Sequence, residues 1–170
     1  MKKIKYIGKI VAVSIASILF LSMMSGVSAC ERDSDLIAGQ HTVVGNVHVS
    51  HQGPDLIITY TTDGCWLITE THLAVATSLD GIPHNNKGNP KIGHFQYKSE
   101  HDPGEDVVTH TIHLVDLGLS PSYSGLLYIA AHAVVYCDCD GRTETAWADN
   151  ALQFPGNSWA LYFIIDLGAA

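Results

Sequence analysis

Basic residues are scarce in this chain. Its 170 residues hold nine Lys and Arg against 17 Asp and Glu, a net charge of −8. Four of the nine, Lys2, Lys3, Lys5 and Lys9, crowd the start, and no acidic residue precedes Glu31. Residues 30–170 therefore carry five basic against 17 acidic side chains, which is −12. Nucleic acid and anionic lipid both demand a positive patch, so neither is an expected partner. Such an acidic surface suits solubility, or capture of a cation. Catalytic signatures are missing too: there is no HExxH, CxxC, nucleophile elbow, phosphate-cradling glycine loop or dinucleotide fingerprint. Helical periodicity, internal repeats and a domain-splitting linker are also lacking after residue 30. One domain over residues 30–170, large enough to bury a core, is the expectation.

The longest apolar run stands near the start. Ile10 to Met24 is apolar or small throughout, follows the four lysines, and is succeeded by Gly26 and Val27-Ser28-Ala29. A basic start, a short apolar stretch and a small-residue cleavage site are what an export machinery reads. The run falls short of the roughly 20 residues that a bilayer span needs. Residues 1–29 are read as a signal peptide and the mature protein as extracellular, secreted or displayed on the cell surface. Val27-Ser28-Ala29-Cys30 also meets a loose lipobox, in which Cys30 becomes lipidated. Only that alternative would tie the chain to a membrane.

What remains is dominated by period two. Val43, Val47 and Val49 share one face of a strand, and Asn46 and His48 take the other. Leu56, Ile58 and Tyr60 line a second strand, after the turn cluster His51 to Asp55. Asp63-Gly64 leads into a long strand from about Trp66 to Thr77. Val107–Val115 alternates, Leu126–Cys137 is nearly continuous apolar, and Trp159–Ile165 forms a last strand. An antiparallel β-sandwich of seven to eight strands is expected. Residues 79–106 are rich in Gly, Pro and Asn and read as one long loop. Its Ile82, Ile92, Phe95 and Tyr97 predict packing onto the body.

Cys30, Cys65, Cys137 and Cys139 are an even set in an exported chain, consistent with up to two disulfides. A bridge between Cys137 and Cys139 would be strained. One of them is expected to reach Cys65, and the other Cys30. Among ten histidines, the best constellation is Glu70-x-His72, which shares a strand face. His132 interrupts an apolar strand, and Glu144 lies on a third strand. Glu70, His72, His132 and Glu144 could hold a divalent metal such as Zn²⁺ with open positions for water, which would permit hydrolysis. The commoner outcome for such residues without a metal motif is a buried hydrogen-bonded or ion-paired network that fixes strand register. His110 reads as a satisfied half-buried residue, and His41, His48, His51 and His113 as surface positions. Asp138-x-Asp140-Gly141 reads as a hairpin turn rather than a calcium loop.

Several blocks together carry a resemblance. They are Trp66–Ser78 (with Trp66-Leu67-Ile68-Thr69-Glu70-Thr71-His72-Leu73), Gly88-Asn89-Pro90 with Gly93-x-Phe95-x-Tyr97, Tyr128–Val134, Glu144–Trp147, and Phe154-Pro155-Gly156-Asn157-x-Trp159-Ala160-x-Tyr162-Phe163. In order and spacing they resemble an uncharacterised family of secreted β-rich domains in bacteria and archaea. The resemblance implies an extracellular β domain of the kind found in surface proteins, and it brings no catalytic residue with it. Two functions are therefore expected in parallel. One is a non-catalytic binding or adhesion module for a glycan, a matrix component or a surface protein. The other is a metal-dependent site on Glu70, His72, His132 and Glu144.

Overall fold

Ten antiparallel strands account for the architecture of a computed structural model that describes residues 30–168. The signal peptide read over residues 1–29 lies outside the described residues. The strands are β1 (Glu31–Ala38), β2 (Thr42–Gln52), β3 (Asp55–Thr62), β4 (Trp66–Ala76), β5 (Tyr97–Glu105), β6 (Val107–His113), β7 (Leu126–Cys137), β8 (Thr143–Asp149), β9 (Leu152–Gln153) and β10 (Leu161–Asp166). Eight run side by side in the order β5-β4-β7-β8-β1-β2-β3-β6. β8 pairs with residues 132–136 of β7, and β10 takes the stretch 126–129. The opposed faces that a sandwich requires thus belong to one continuous sheet, curled almost into a barrel.

Alternation explains the barrel interior. β3 shows it strictly, with Leu56, Ile58, Tyr60 and Thr62 buried and the residues between them half-exposed. Leu36, Val47, Ile68, Leu73, Ile129, Val135 and Phe163 complete the same core. The curl brings β6 beside β4 without a backbone ladder between them, and side chains close the seam. The buried Thr71 hydroxyl lies 2.6 Å from Ser99 Oγ and 2.8 Å from His110 Nε2, and Ser99 Oγ reaches His101 Nε2 at 2.9 Å. Burial, reinforced by His101, holds the His110 imidazole below its usual range.

Two local irregularities alter the faces read from period two. Ile37 pairs with Val43 while Leu36 pairs with Gly45, so Val44 is an extra residue in β2. This bulge puts Val44 into the core and leaves Val43 57% exposed, a correction to the single face expected for Val43, Val47 and Val49. Gly45, at φ +155°, sits where any Cβ would overlap the Thr61 carbonyl oxygen. In β4 a second register shift falls between Ile68 and Glu70. Thr69 there donates its hydroxyl to the Val134 carbonyl.

The expected loop over residues 79–106 is half strand. Tyr97–Glu105 forms β5 against β4, disguised in the sequence by Pro103 and Gly104. Residues 77–96 do cross as a loop and pack down, burying Ile82 and Phe95 completely or nearly so. With Phe154 and Ala160 they cover Ala74, Ala130 and Trp147 on the outer face of β4, β7 and β8. Each large apolar side chain buried this way contributes roughly 1.5–3 kcal/mol. β7 is consequently covered on both faces over Ile129–Ala133, which is why its sequence is apolar without alternation.

Candidate functional site

Strand register assembles the centre of the site. His72 of β4 pairs with His132 of β7, and His132 pairs with Trp147 of β8. The three rings form a row on the outer sheet face, with centroids 5.5 Å apart for His72–His132 and 4.8 Å for His132–Trp147. Glu70 lies on the same face, its Oε2 4.0 Å from His72 Nε2. Glu144 does not join them. It pairs with Val135, an odd number of residues from the His132–Trp147 pair, so it faces the opposite side of the sheet. Its carboxylate sits against Gly39, where an added Cβ would come within 3.2 Å of Oε2.

The four-residue constellation expected from the sequence is therefore corrected. Among the described residues, the one group of His, Cys or carboxylate ligand atoms gathered within 4.8 Å of one another is Cys65, Cys137 and Cys139. No three of Glu70, His72, His132 and Glu144 meet that spacing.

His132 is the anomaly of the site. Only 3% of the residue is exposed, and neither Nδ1 nor Nε2 has a hydrogen-bond partner among the described residues. Burial pushes its imidazole down to about 3, and the neighbouring His72 pushes the same way. Burial also lowers His72, with Glu70 opposing the shift and Lys98 adding to it. Both rings are neutral near pH 7. A buried polar group left unpaired costs roughly 1–3 kcal/mol, so the His132 imidazole in the middle of a sheet calls for an explanation.

A cleft of about 200 Å³ opens over this row. Its floor is His132, Thr145 and Trp147, and its walls are Asn89, Pro90 and Ile92 on one side and Ser158, Trp159 and Ala160 on the other. The walls are held in place by specific bonds. Asn85 Oδ1 accepts the Lys87 and Asn89 N–H groups, and Lys91 N–H donates to the Pro83 carbonyl at 2.8 Å. Asn89 Oδ1 then accepts the Ser158 N–H at 2.9 Å, joining the two walls. Gly156 permits the approach, since a Cβ there would overlap Asn89. Ser158 Oγ is buried without a partner, as His132 is. In the sequence Ser158 belongs only to the Phe154–Phe163 block, and Trp159 reads as the start of the last strand, which begins instead at Leu161. A tryptophan inside a Pro/Gly/Asn/Ser segment was the available signal.

A larger depression of about 390 Å³ lies between the ends of β4 and β5 and the turn at Asp116–Leu117. None of the buried unpartnered polar atoms lines it. Two other histidines pair with carboxylates away from this row: His48 and His113 bond Asp33 and Asp55, at 2.9 and 2.7 Å. Residues 138–140 make the β7–β8 turn, where Asp140 accepts the Arg142 N–H and Nε–H.

Cys65 and Cys139 form a disulfide. Cys137 is a buried thiol whose Sγ lies 3.4 Å from Cys65 Sγ. Cys30 pairs with neither, against the expected second bridge; its thiol donates to the Asp166 carbonyl at 3.3 Å. No protein-family model, curated protein or solved structure matches this chain, so the geometry of the cleft carries the functional reading.

Proposed function

We propose that this protein is a secreted or cell-surface binding module without a catalytic centre, and that the cleft over His132 takes a neutral glycan. The observation that carries this reading is the unpartnered imidazole beneath a cleft bounded by Trp147 and Trp159. Ligand sites are mostly apolar with a few convergent polar groups, and this cleft has that composition. A tryptophan face stacks on the apolar side of a sugar ring, while hydroxyls seek polar partners. His132 and Thr145 on the floor, and Asn89 and Ser158 on the two walls, carry such groups. His132 lines the cleft with both ring nitrogens buried, so its contact with a ligand hydroxyl requires the ring to turn. At about 200 Å³ the cleft suits one ring of a longer chain. The net charge of −12 over residues 30–170 disfavours anionic sugars. Export is supported by the leader pattern and by the Cys65–Cys139 bridge, since disulfides persist in oxidising compartments.

Tryptophan emission during titration with neutral oligosaccharides (cello-, xylo-, manno- and chito-series) tests this directly. Saturable binding that is lost in Trp159→Ala and His132→Leu, both still folded by circular dichroism, is expected. Absence of any emission or melting-temperature change at millimolar sugar across the panel would refute the glycan assignment.

A further inference from the structure

Three sulfur atoms converge at the end of β4 and β7, and only two of them are bonded to each other. Cys65 and Cys139 share the disulfide, and the Cys137 thiol lies 3.4 Å from Cys65 Sγ. All three sulfurs fall within 4.8 Å of one another. The backbone fixes this arrangement. Asp138 N–H donates to the Cys65 carbonyl at 2.8 Å, clamping Cys65 onto the turn that carries the other two. The turn itself is closed by Cys137 N–H to the Arg142 carbonyl at 2.7 Å and by Gly141 N–H to the Cys137 carbonyl at 2.8 Å. Cys137 is buried, Cys65 half-buried and Cys139 exposed, so the three sulfurs step from the core to solvent.

We propose that Cys65, Cys137 and Cys139 form a thiol–disulfide exchange site, in which Cys137 displaces Cys139 from Cys65 and presents Cys139 to solvent as a reactive thiol. The separation of 3.4 Å puts the two sulfurs in contact, and with all three within 4.8 Å of one another Cys137 stands to the side of the Cys65–Cys139 bond, so side-chain rotation must bring the attack into line. The Cys137 thiolate attacks Cys65 Sγ. The Cys65–Cys137 bond forms as the Cys65–Cys139 bond breaks, and the electron pair leaves on Cys139 Sγ. Cys139 then takes up the proton that Cys137 lost, so the step needs no oxidant or reductant. A buried thiol is a poor nucleophile until it loses its proton. Asp140 is held as a carboxylate chiefly by the Arg142 backbone N–H, with the Cys137 thiol contributing, and its charge opposes a neighbouring thiolate, so solvent base takes the proton and exchange quickens as the pH rises. Once free, the Cys139 thiolate can attack a low-molecular-weight disulfide. That step forms a mixed disulfide on Cys139 and releases one small thiolate. The cleft over His132 plays no part in this site, and the two readings stand or fall separately.

The test holds the purified protein in a reduced and oxidised glutathione buffer, quenches with acid, alkylates free thiols and cleaves before aspartate. Cleavage before Asp138 separates Cys137 from Cys139, so the two pairings give different linked peptides. Cys65–Cys139 and Cys65–Cys137 are both expected, in a ratio that returns to one value from either starting pairing. Native treatment with iodoacetamide should label Cys139 in the wild type and fail to do so in Cys137→Ser. Cys139→Ser should reoxidise to Cys65–Cys137, and a glutathione adduct should map to Cys139 in the wild type. Cys30 serves as the internal labelling control. Wild-type protein showing Cys65–Cys139 alone, with Cys139 unreactive throughout, would overturn the proposal without reference to any variant.

Discussion

Lowering the pH should destabilise this fold through His132, and the size of the effect can be worked from its burial. In the folded protein the imidazole titrates at about 3 against an ordinary value of 6.5. The folded-state value is depressed, so the unfolded chain binds the proton more readily between those limits. Stability is therefore full above pH 6.5 and falls as the pH drops toward 3. The slope is about 1.4 kcal/mol per pH unit for one such group. By pH 5 the loss from His132 alone is about 2 kcal/mol, a large share of a typical stability of roughly 5–15 kcal/mol. The assay is urea unfolding followed by tryptophan emission, with Trp147 in ring contact as reporter, for wild type and His132→Leu. All other titrating groups are common to both proteins and cancel. Leucine also removes two unpaired buried nitrogens, so the variant should match or exceed wild-type stability near neutral pH. Its advantage should then grow by about 2 kcal/mol on going to pH 5. Parallel pH profiles for the two proteins would refute the reasoning, as would an imidazole resonance of His132 titrating near its ordinary value.

Thr71→Val should destabilise by about 1–3 kcal/mol, because it strips the fully buried bridge between Ser99 and His110 at the barrel seam; thermal unfolding and faster amide exchange in β5 and β6 are the readouts. Gly45→Ala should cost several kcal/mol or prevent folding, since the new methyl group meets the Thr61 backbone, which has no freedom to move aside; soluble yield and unfolding midpoint measure it. His113 bonds Asp55, and that contact raises the imidazole above its ordinary value. The bond should stabilise at acidic pH and fade as the pH rises through the raised value, visible as an upward-shifted His113 titration in nuclear magnetic resonance that Asp55→Asn abolishes.

Much of the fold was legible because alternation survives wherever one sheet face is wet. β3 and β6 follow the period, and β7 was recognisable as a strand from its β-branched and aromatic residues even without it. The Ile82 and Phe95 packing was legible as well, since apolar residues in a polar loop must be covered. β1 was not, because Glu31, Arg32, Asp33 and Asp35 hide a strand whose inward residues are only Ser34, Leu36 and Ala38. β5 was hidden by Pro103 and Gly104, which normally mark loops. Val43 leaves the face of Val47 and Val49 because a bulge inverts the alternation, and no residue in the sequence announces it. At the site, local spacing was enough to put Glu70 and His72 on one face, and the oddity of His132 in an apolar run could be read directly. Whether Glu144 or Trp147 stands beside His132 depends on the β7–β8 register, which an offset of one residue would reverse. The sequence by itself determined the all-β character and most of the strands, the acidic composition and the presence of a histidine in an apolar strand. Only the tertiary structure decided that this histidine goes unpaired beneath two tryptophans and that three cysteines meet, because register and loop docking are set by contacts among residues far apart in the chain.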